Sequence, residues 1–354
     1  MTGNTEVLGH GAAMSPEASR KTKNLGFLCS LLVVAIHAAW PDGPPLSAAW
    51  FIRQGLVEGI GRVAVPFFFV VSGFLLARHF GEKGWWRRET AKRLRSLLVP
   101  YVVWSLAALL AAWLLSAIVD FGTHRPFGTT CPVPGLRDLP AVFGLDLTEY
   151  PLDVPLWYVR CLFVLVLLSP ALDWIASRCG RAWLVAAFLF LLLARRIPAG
   201  NWSTYLCHAS LGLFFFSTGI LLRKTRPPQF PPVAAVFSGL TGLALLAAKM
   251  AAAWKGWPCE SELGVLSLPF LLHAAWMAAP GSEWPEWLTS CAFPIFLANI
   301  VVIRFVAPFL LHAGMGGLPA AVAELAAGIA VPCGIAWFLR RCFPRIALIA
   351  FGGR

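Results

Sequence analysis

The chain has 354 residues, 58% of them hydrophobic and only 13% charged, and its mean hydropathy is +0.71. A water-soluble chain carries about a quarter charged residues, so this composition excludes a soluble globular protein and points to an integral membrane protein. The formal net charge of +12 does not argue for nucleic-acid binding, because the cations gather beside apolar runs as loop anchors do.

Residues 1–23 are polar and rich in small side chains, which predicts a disordered cytoplasmic N-terminus ending in Arg20, Lys21 and Lys23. Ten apolar runs follow, at about 24–41, 63–80, 96–119, 154–172, 182–197, 204–222, 232–253, 263–279, 289–311 and 318–339. Each is near the roughly 20 residues that cross a bilayer. The first reads as a signal anchor rather than a cleaved leader, since further spans follow it and no cleavage site stands after Trp40. With the N-terminus inside, cytoplasmic segments hold nineteen Lys and Arg and external segments seven. That bias predicts an even number of spans and both termini cytoplasmic. The expected fold is therefore an all-α polytopic bundle of about ten transmembrane helices. Its transmembrane domain covers 24–342 and a cytoplasmic tail covers 343–354.

Nine cysteines occur without a CxxC pair, so no metal site or redox motif is expected. Cys131, in the long acidic external loop 120–153, and Cys259 are candidates for a disulfide. No HExxH, GxSxG or P-loop pattern occurs, which argues against zinc-protease, serine-hydrolase and NTPase chemistry.

The first run, "LLVVAIHAAW" (Leu31–Trp40), carries His37 in what is predicted to be its outer half. Gly26, Ser30, Val33 and His37 are spaced four, three and four apart and share one helical face. Such a face serves either as a tight helix contact or as the wall of a narrow channel ending at an imidazole. In the second run Arg62 stands at the outer end and Pro66 near the start, and Ser72 and Gly73 fall mid-membrane. The basic stretch Gly81–Leu106, with Arg87, Arg88, Arg93 and Arg95, reads as an interfacial amphipathic segment. It either anchors to anionic lipid or receives a phosphorylated donor. Arg160, Lys249, Arg304 and Glu324 are intramembrane charges. Arg304 and Glu324 are expected to pair, and Lys249 to snorkel. His208 and His273 read as packing residues, and His79 as interfacial.

"LLVVAIHA", "RVAVPFFFVVSGFLL", "KRLRSLLVPYVVWSL" and "PLWYVRCLFVLVLLSP" together resemble the acyltransferase-3 family of integral-membrane O-acyltransferases. "FFFSTGILLRK" and "CAFPIFLANIVVI" are weaker echoes of its later spans. The resemblance implies a transferase of the cytoplasmic membrane that moves an acyl group, most simply acetyl. The donor is cytoplasmic acyl-CoA, with no permanently bound cofactor, and the acceptor is a hydroxyl of an extracytoplasmic glycan or lipid-linked sugar. It implies His37 as the general base, a role that suits an imidazole titrating near pH 6.5. Arg62, Ser72, Gly73, Trp157, Tyr158, Arg160 and Asn299 become candidates for holding substrate. Arg87, Arg88, Arg93 and Arg95 become candidates for the donor phosphates. Gly26 stands where the family usually has a basic residue that helps hold the CoA, and Asn299 where many members carry a histidine. Lys23, Arg93 and Arg95 are candidates to replace the missing charge. Two other readings fit a helical bundle with a polar midplane: a transporter or flippase without acyl chemistry, and a catalytically inactive member of the same fold.

Overall fold

The computed structural model describes residues 14–122, 134–145, 150–197, 203–225 and 231–353. Cys131, Arg125, Arg226 and Arg354 lie outside them, and so does the proposed Cys131–Cys259 disulfide. The described chain is helical, and no strand forms among its residues. Helix α1 is Pro16–His37, followed by the short α2 (Ala48–Phe51). A π turn (Ile52–Val57) and a 3-10 turn (Ile60–Val63) lead from α2 into α3 (Ala64–Ala77). Next come α4 (Trp85–Arg93), α5 (Val99–Gly122) and α6 (Leu139–Val142). They are followed by α7 (Leu156–Leu167), α8 (Ser169–Cys179), α9 (Arg181–Ala194) and α10 (Ser203–Lys224). The last third holds α11 (Pro232–Lys255), α12 (Glu260–Ala278), α13 (Glu286–Thr289), α14 (Ala292–His312), α15 (Gly317–Cys342) and α16 (Pro344–Phe351).

The expected ten spans are corrected to seven helical segments long and apolar enough to cross a membrane, plus one bent pair. The seven are Ala48–Ala77, Trp85–Asp120 and helices α10, α11, α12, α14 and α15. The bent pair is α7 and α8, which break at 67° where the sequence predicts one straight span. Pro170 explains the break: it is well placed in the first turn of α8 but cannot continue α7. Helix α9 has 14 residues, which reach only about 21 Å against a hydrocarbon core of roughly 30 Å. Helix α1 has 22 residues, long enough to cross. It falls short in apolarity, because its first turns carry Arg20, Lys21 and Lys23.

Local sequence sets the ends of α1. The Ser15 hydroxyl accepts the Ala18 amide at 3.2 Å and Pro16 opens the first turn. The helix therefore takes in residues 16–23, which the sequence placed in the tail. At the other end of the chain, α16 is also packed rather than loose. Phe351 is buried, and the Trp104 indole N–H donates to the Ala350 carbonyl at 3.0 Å.

Packing concentrates where small residues allow it. Helices α3 and α10 cross closely at Gly73 and Gly219. A Cβ on Gly73 would lie 2.1 Å from the Phe216 carbonyl oxygen, and one on Gly219 would lie 2.0 Å from that of Val70. The surrounding core is built from Phe69, Phe215, Phe216, Ile220 and Leu297. Helix α1 packs on α14 and α3, and α14 on α15. Gly73 thus fits a helix contact and does not shape a groove. Replacing Gly73 with Ala is expected to cost about 1–3 kcal/mol, as overpacking does. Gly334→Ala, at a mid-helix site with open space around it, is expected to be neutral or to gain up to about 1 kcal/mol. Thermal melts of the two variants in the same detergent check this contrast.

Candidate active site

His37 is the last residue of α1. The chain leaves the helix at Ala38, which adopts extended angles, and the Ala39 amide donates to Glu324 Oε2 at 2.6 Å. Glu324 itself is buried on α15. Its carboxylate therefore fixes the chain two residues beyond the imidazole. Trp40 closes the same turn by donating its indole N–H to the Ala35 carbonyl at 2.6 Å. The imidazole is half-buried and makes no hydrogen bond among the described residues. The charges that bear on it are those of Arg62, Arg304 and Glu58. The face that carries it is packed: Gly26, Ser30 and Val33 are buried, and the Phe67 ring lies 3.8 Å from where a Gly26 Cβ would be. The small-residue face is thus a helix contact, and only its last member opens outward.

Arg62 is exposed and paired to Glu58 through Nε at 2.9 Å and Nη2 at 2.6 Å. The expected Arg304–Glu324 pair does not form. Arg304 donates to the Leu152 carbonyl at 2.6 Å, while Glu324 is engaged by Ala39. Each group found a backbone partner, which satisfies it without bringing two desolvated charges together. Lys249 does not snorkel. It is buried, with its ammonium 3.0 Å from Gln54 Oε1 and 3.6 Å from Glu260 Oε1.

The α7 motif splits into two jobs. Tyr158 is buried, its hydroxyl lies 3.3 Å from that of Ser72, and its ring sits against Phe68, Phe69 and Phe296. Trp157 stacks on the His208 imidazole at 3.8 Å between ring centroids. Arg160 is committed to structure: its guanidinium donates to the Gly144 carbonyl and, at 2.6 Å, to the Tyr205 hydroxyl. Gly144 has φ of +56°, and a Cβ there would lie 2.5 Å from Arg160 Nη1, so only glycine fits this clamp. Asn299 is fully buried, and its amide nitrogen donates to the Ile295 and Phe296 carbonyls. Its side-chain oxygen has no hydrogen-bond partner among the described residues.

The four donor-side candidates also separate. Arg87 and Arg95 are exposed, and Arg88 is held by Glu82 at 2.5 Å and by the Lys83 carbonyl. Arg93 turns inward, 3.8 Å from the buried Glu89, and the Tyr158 hydroxyl and Arg78 act on it. At the Pro16 end of α1 an open cavity of about 510 Å³ is lined by Arg20, Lys23, Asn24, Trp284 and Glu286, among others. Lys23 is exposed there and has no ion pair among the described residues. Sequence reasoning missed Glu58, Tyr205 and the placement of His208. A usable signal existed for two of them, since Tyr205 and His208 are three residues apart on one helical face.

Asp153, just before α7, is wholly buried and neither carboxyl oxygen has a hydrogen-bond partner among the described residues. Burial pushes this acid well above the usual carboxylate range, against a smaller opposing pull from Arg304. The folded state therefore holds a proton that the unfolded chain releases near pH 4, and stability falls as pH rises from there through the folded value. Asp153→Asn removes this titration. Its melting temperature should exceed that of the wild type at pH 8, where the wild type must either hold a proton that the unfolded chain has released or bury a charge. The gap should close as the pH approaches 4.

With this geometry in hand, comparison with known proteins is decisive at the level of family. The acyltransferase-3 family model, an acyltransferase domain, matches residues 26–341. The chain belongs to this family. It is also similar to the succinoglycan biosynthesis protein ExoH of Rhizobium meliloti (strain 1021), at 29% identity over 195 residues. That match covers 53% of this chain and 49% of the relative, so it spans about half the length of each. No solved structure matches the chain. The protein is therefore a multi-pass membrane protein with an acyltransferase domain.

Proposed function

We propose that the protein transfers an acyl group, most simply acetyl, from cytoplasmic acyl-CoA to a hydroxyl of an extracytoplasmic glycan or lipid-linked sugar. The observation that carries this reading is the state of His37. The imidazole makes no hydrogen bond among the described residues and stands two residues before the Ala39 amide held by Glu324, at the end of a packed helix, in a chain of this family. The likeness to a succinoglycan biosynthesis protein supports a polysaccharide-related acceptor. We place both termini in the cytoplasm and the protein in the cytoplasmic membrane, so His37 faces outward and the 510 Å³ cavity faces the cytosol.

In this scheme the His37 imidazole removes the proton from the acceptor hydroxyl. The resulting oxygen attacks the thioester carbonyl, the carbon–sulfur bond breaks, and the departing CoA thiolate takes the proton back from the imidazolium. Charge for the CoA phosphates comes from residues other than Gly26, which has no side chain to supply it. Lys23 is exposed at the cavity and has no ion pair among the described residues, and Arg93 is turned inward beside the buried Glu89. The unpartnered oxygen of Asn299 suits an amide N–H of the donor's pantetheine arm. Tyr158 and Ser72 form the polar step between the two ends.

The test uses the purified protein in lipid with acetyl-labelled CoA and a crude surface-glycan acceptor. His37→Ala is expected to lower transfer at least 100-fold, the scale of a lost general base, with melting temperature and CoA binding unchanged. Transfer that survives in His37→Ala would remove the histidine from the mechanism. Absence of CoA binding in the wild type would remove the acyl-CoA donor.

A further inference from the structure

Two thiols meet between the start of α14 and the second half of α15. Cys291 is the N-cap residue of α14 and is buried, and Cys333 is a half-buried residue of α15. Cys333 packs against the cluster formed by Phe27, Val34, Cys291, Ile295 and Ile303. Both residues are free cysteines, and their side chains hydrogen-bond to each other. The Cys291 thiol also donates to the Trp287 carbonyl at 3.2 Å. Arg340 lies two turns beyond Cys333 on α15 and reaches over the start of α14. It donates from Nη1 to the Ser290 hydroxyl and from Nη2 to the Ser290 carbonyl, each at 3.0 Å. The hydrogen bond with Cys333 lowers the Cys291 pKa, burial opposes it, and Arg340 lowers it further. Thr289, two residues before Cys291, lines the open cavity at the Pro16 end of α1.

From this arrangement we infer that Cys291 and Cys333 form a redox-active dithiol, which hydrogen peroxide closes to a disulfide that staples α15 to the start of α14. The inference goes beyond acyl transfer, which uses neither thiol. Cys291 is the attacking thiol, because the thiolate is the nucleophilic form and a neighbouring guanidinium favours it. Its sulfur takes one peroxide oxygen, the O–O bond breaks, and the departing hydroxide leaves as water with the thiol proton. Cys333 then attacks the sulfenic sulfur, the S–S bond forms, and the hydroxyl leaves as a second water with the Cys333 proton. The two thiols lose two electrons and the peroxide gains them. In the proposed orientation the pair lies toward the cytosol, where thiols rest reduced and a disulfide is transient. The staple acts on a helix that already grips α1. Glu324 of α15 holds the Ala39 amide, and a Cβ on Gly328 would lie 2.6 Å from Val34 Cγ1.

The experiment exposes the full-length protein in lipid nanodiscs, first reduced, to graded hydrogen peroxide and maps its cysteines by peptide mass. The Cys291–Cys333 disulfide is expected at a dose at least tenfold below the one that oxidises the exposed Cys179 and Cys342. It should raise the melting temperature, since a crosslink restricts the unfolded chain, and dithiothreitol should reverse both changes. Cys333→Ser is expected to leave Cys291 as a sulfenic acid that dimedone captures, whereas Cys291→Ser should give no such adduct on Cys333. Melts under reductant show that each variant is folded. Oxidation of Cys179 and Cys342 at the same dose as the pair, or dimedone capture on Cys333 instead of Cys291, would overturn the inference. A disulfide already closed in protein whose thiols were blocked in intact cells would overturn it too, because the pair would then be a permanent crosslink.

Discussion

The architecture depends on keeping α1 out of the lipid. This helix carries Arg20, Lys21, Lys23 and Asn24 in its first turns, Ser30 midway and His37 at its end. Polar groups on that scale are tolerated in a bilayer only when the protein encloses them or a wet cavity receives them. The bundle supplies both. Asn24 is buried and donates to the Pro280 and Ser282 carbonyls, each at 2.9 Å, and Arg20 donates to the Gly281 carbonyl at 2.7 Å. The 280–282 turn is thereby laced to the helix. Ser30 is satisfied by its own backbone, at 2.7 Å from the Phe27 carbonyl. Only the two ends remain open, one at the cavity beside Lys23 and the other at His37.

That arrangement separates two tasks that a transmembrane transferase has to perform. In the proposed mechanism the cations at one end would meet a charged donor, and the imidazole at the other would meet a hydroxyl. Between them lies an aromatic seal of Phe68, Tyr158 and Phe296, and its polar step is the Tyr158–Ser72 contact. Glu324 and Arg304 lie on neighbouring helices and serve different purposes near the histidine. The first holds the Ala39 amide, and the second donates to the Leu152 carbonyl.

Hydropathy made the long apolar helices α5, α10, α11, α12, α14 and α15 legible in the sequence, because each presents enough apolar surface to lipid to show as a run. It failed where another constraint took over. Pro170 turned one expected span into a bent pair, and α9 is too short to cross. Depth was readable but direction around the helix was not. Arg304 and Glu324 lie at similar expected depths, yet each turns to a backbone group. Gly73 looked like groove-forming space and is filled by a partner helix. The motif residues His37, Trp157 and Tyr158 could be singled out from the sequence as candidates. What each one touches depends on packing against α10 and α14, and no spacing within a single helix specifies that. His208 was set aside for lack of a motif, although it stacks on Trp157.

The central claim is that the acyl group passes from one face of the membrane to the other through this bundle. The most direct measurement uses proteoliposomes of uniform orientation, with labelled acetyl-CoA on one face and the glycan acceptor on the other. The account predicts label on the acceptor when the donor is on the face of the Lys23 cavity and the acceptor is on the face of His37, and none when both are on one face. Transfer with donor and acceptor confined to the same face would contradict it.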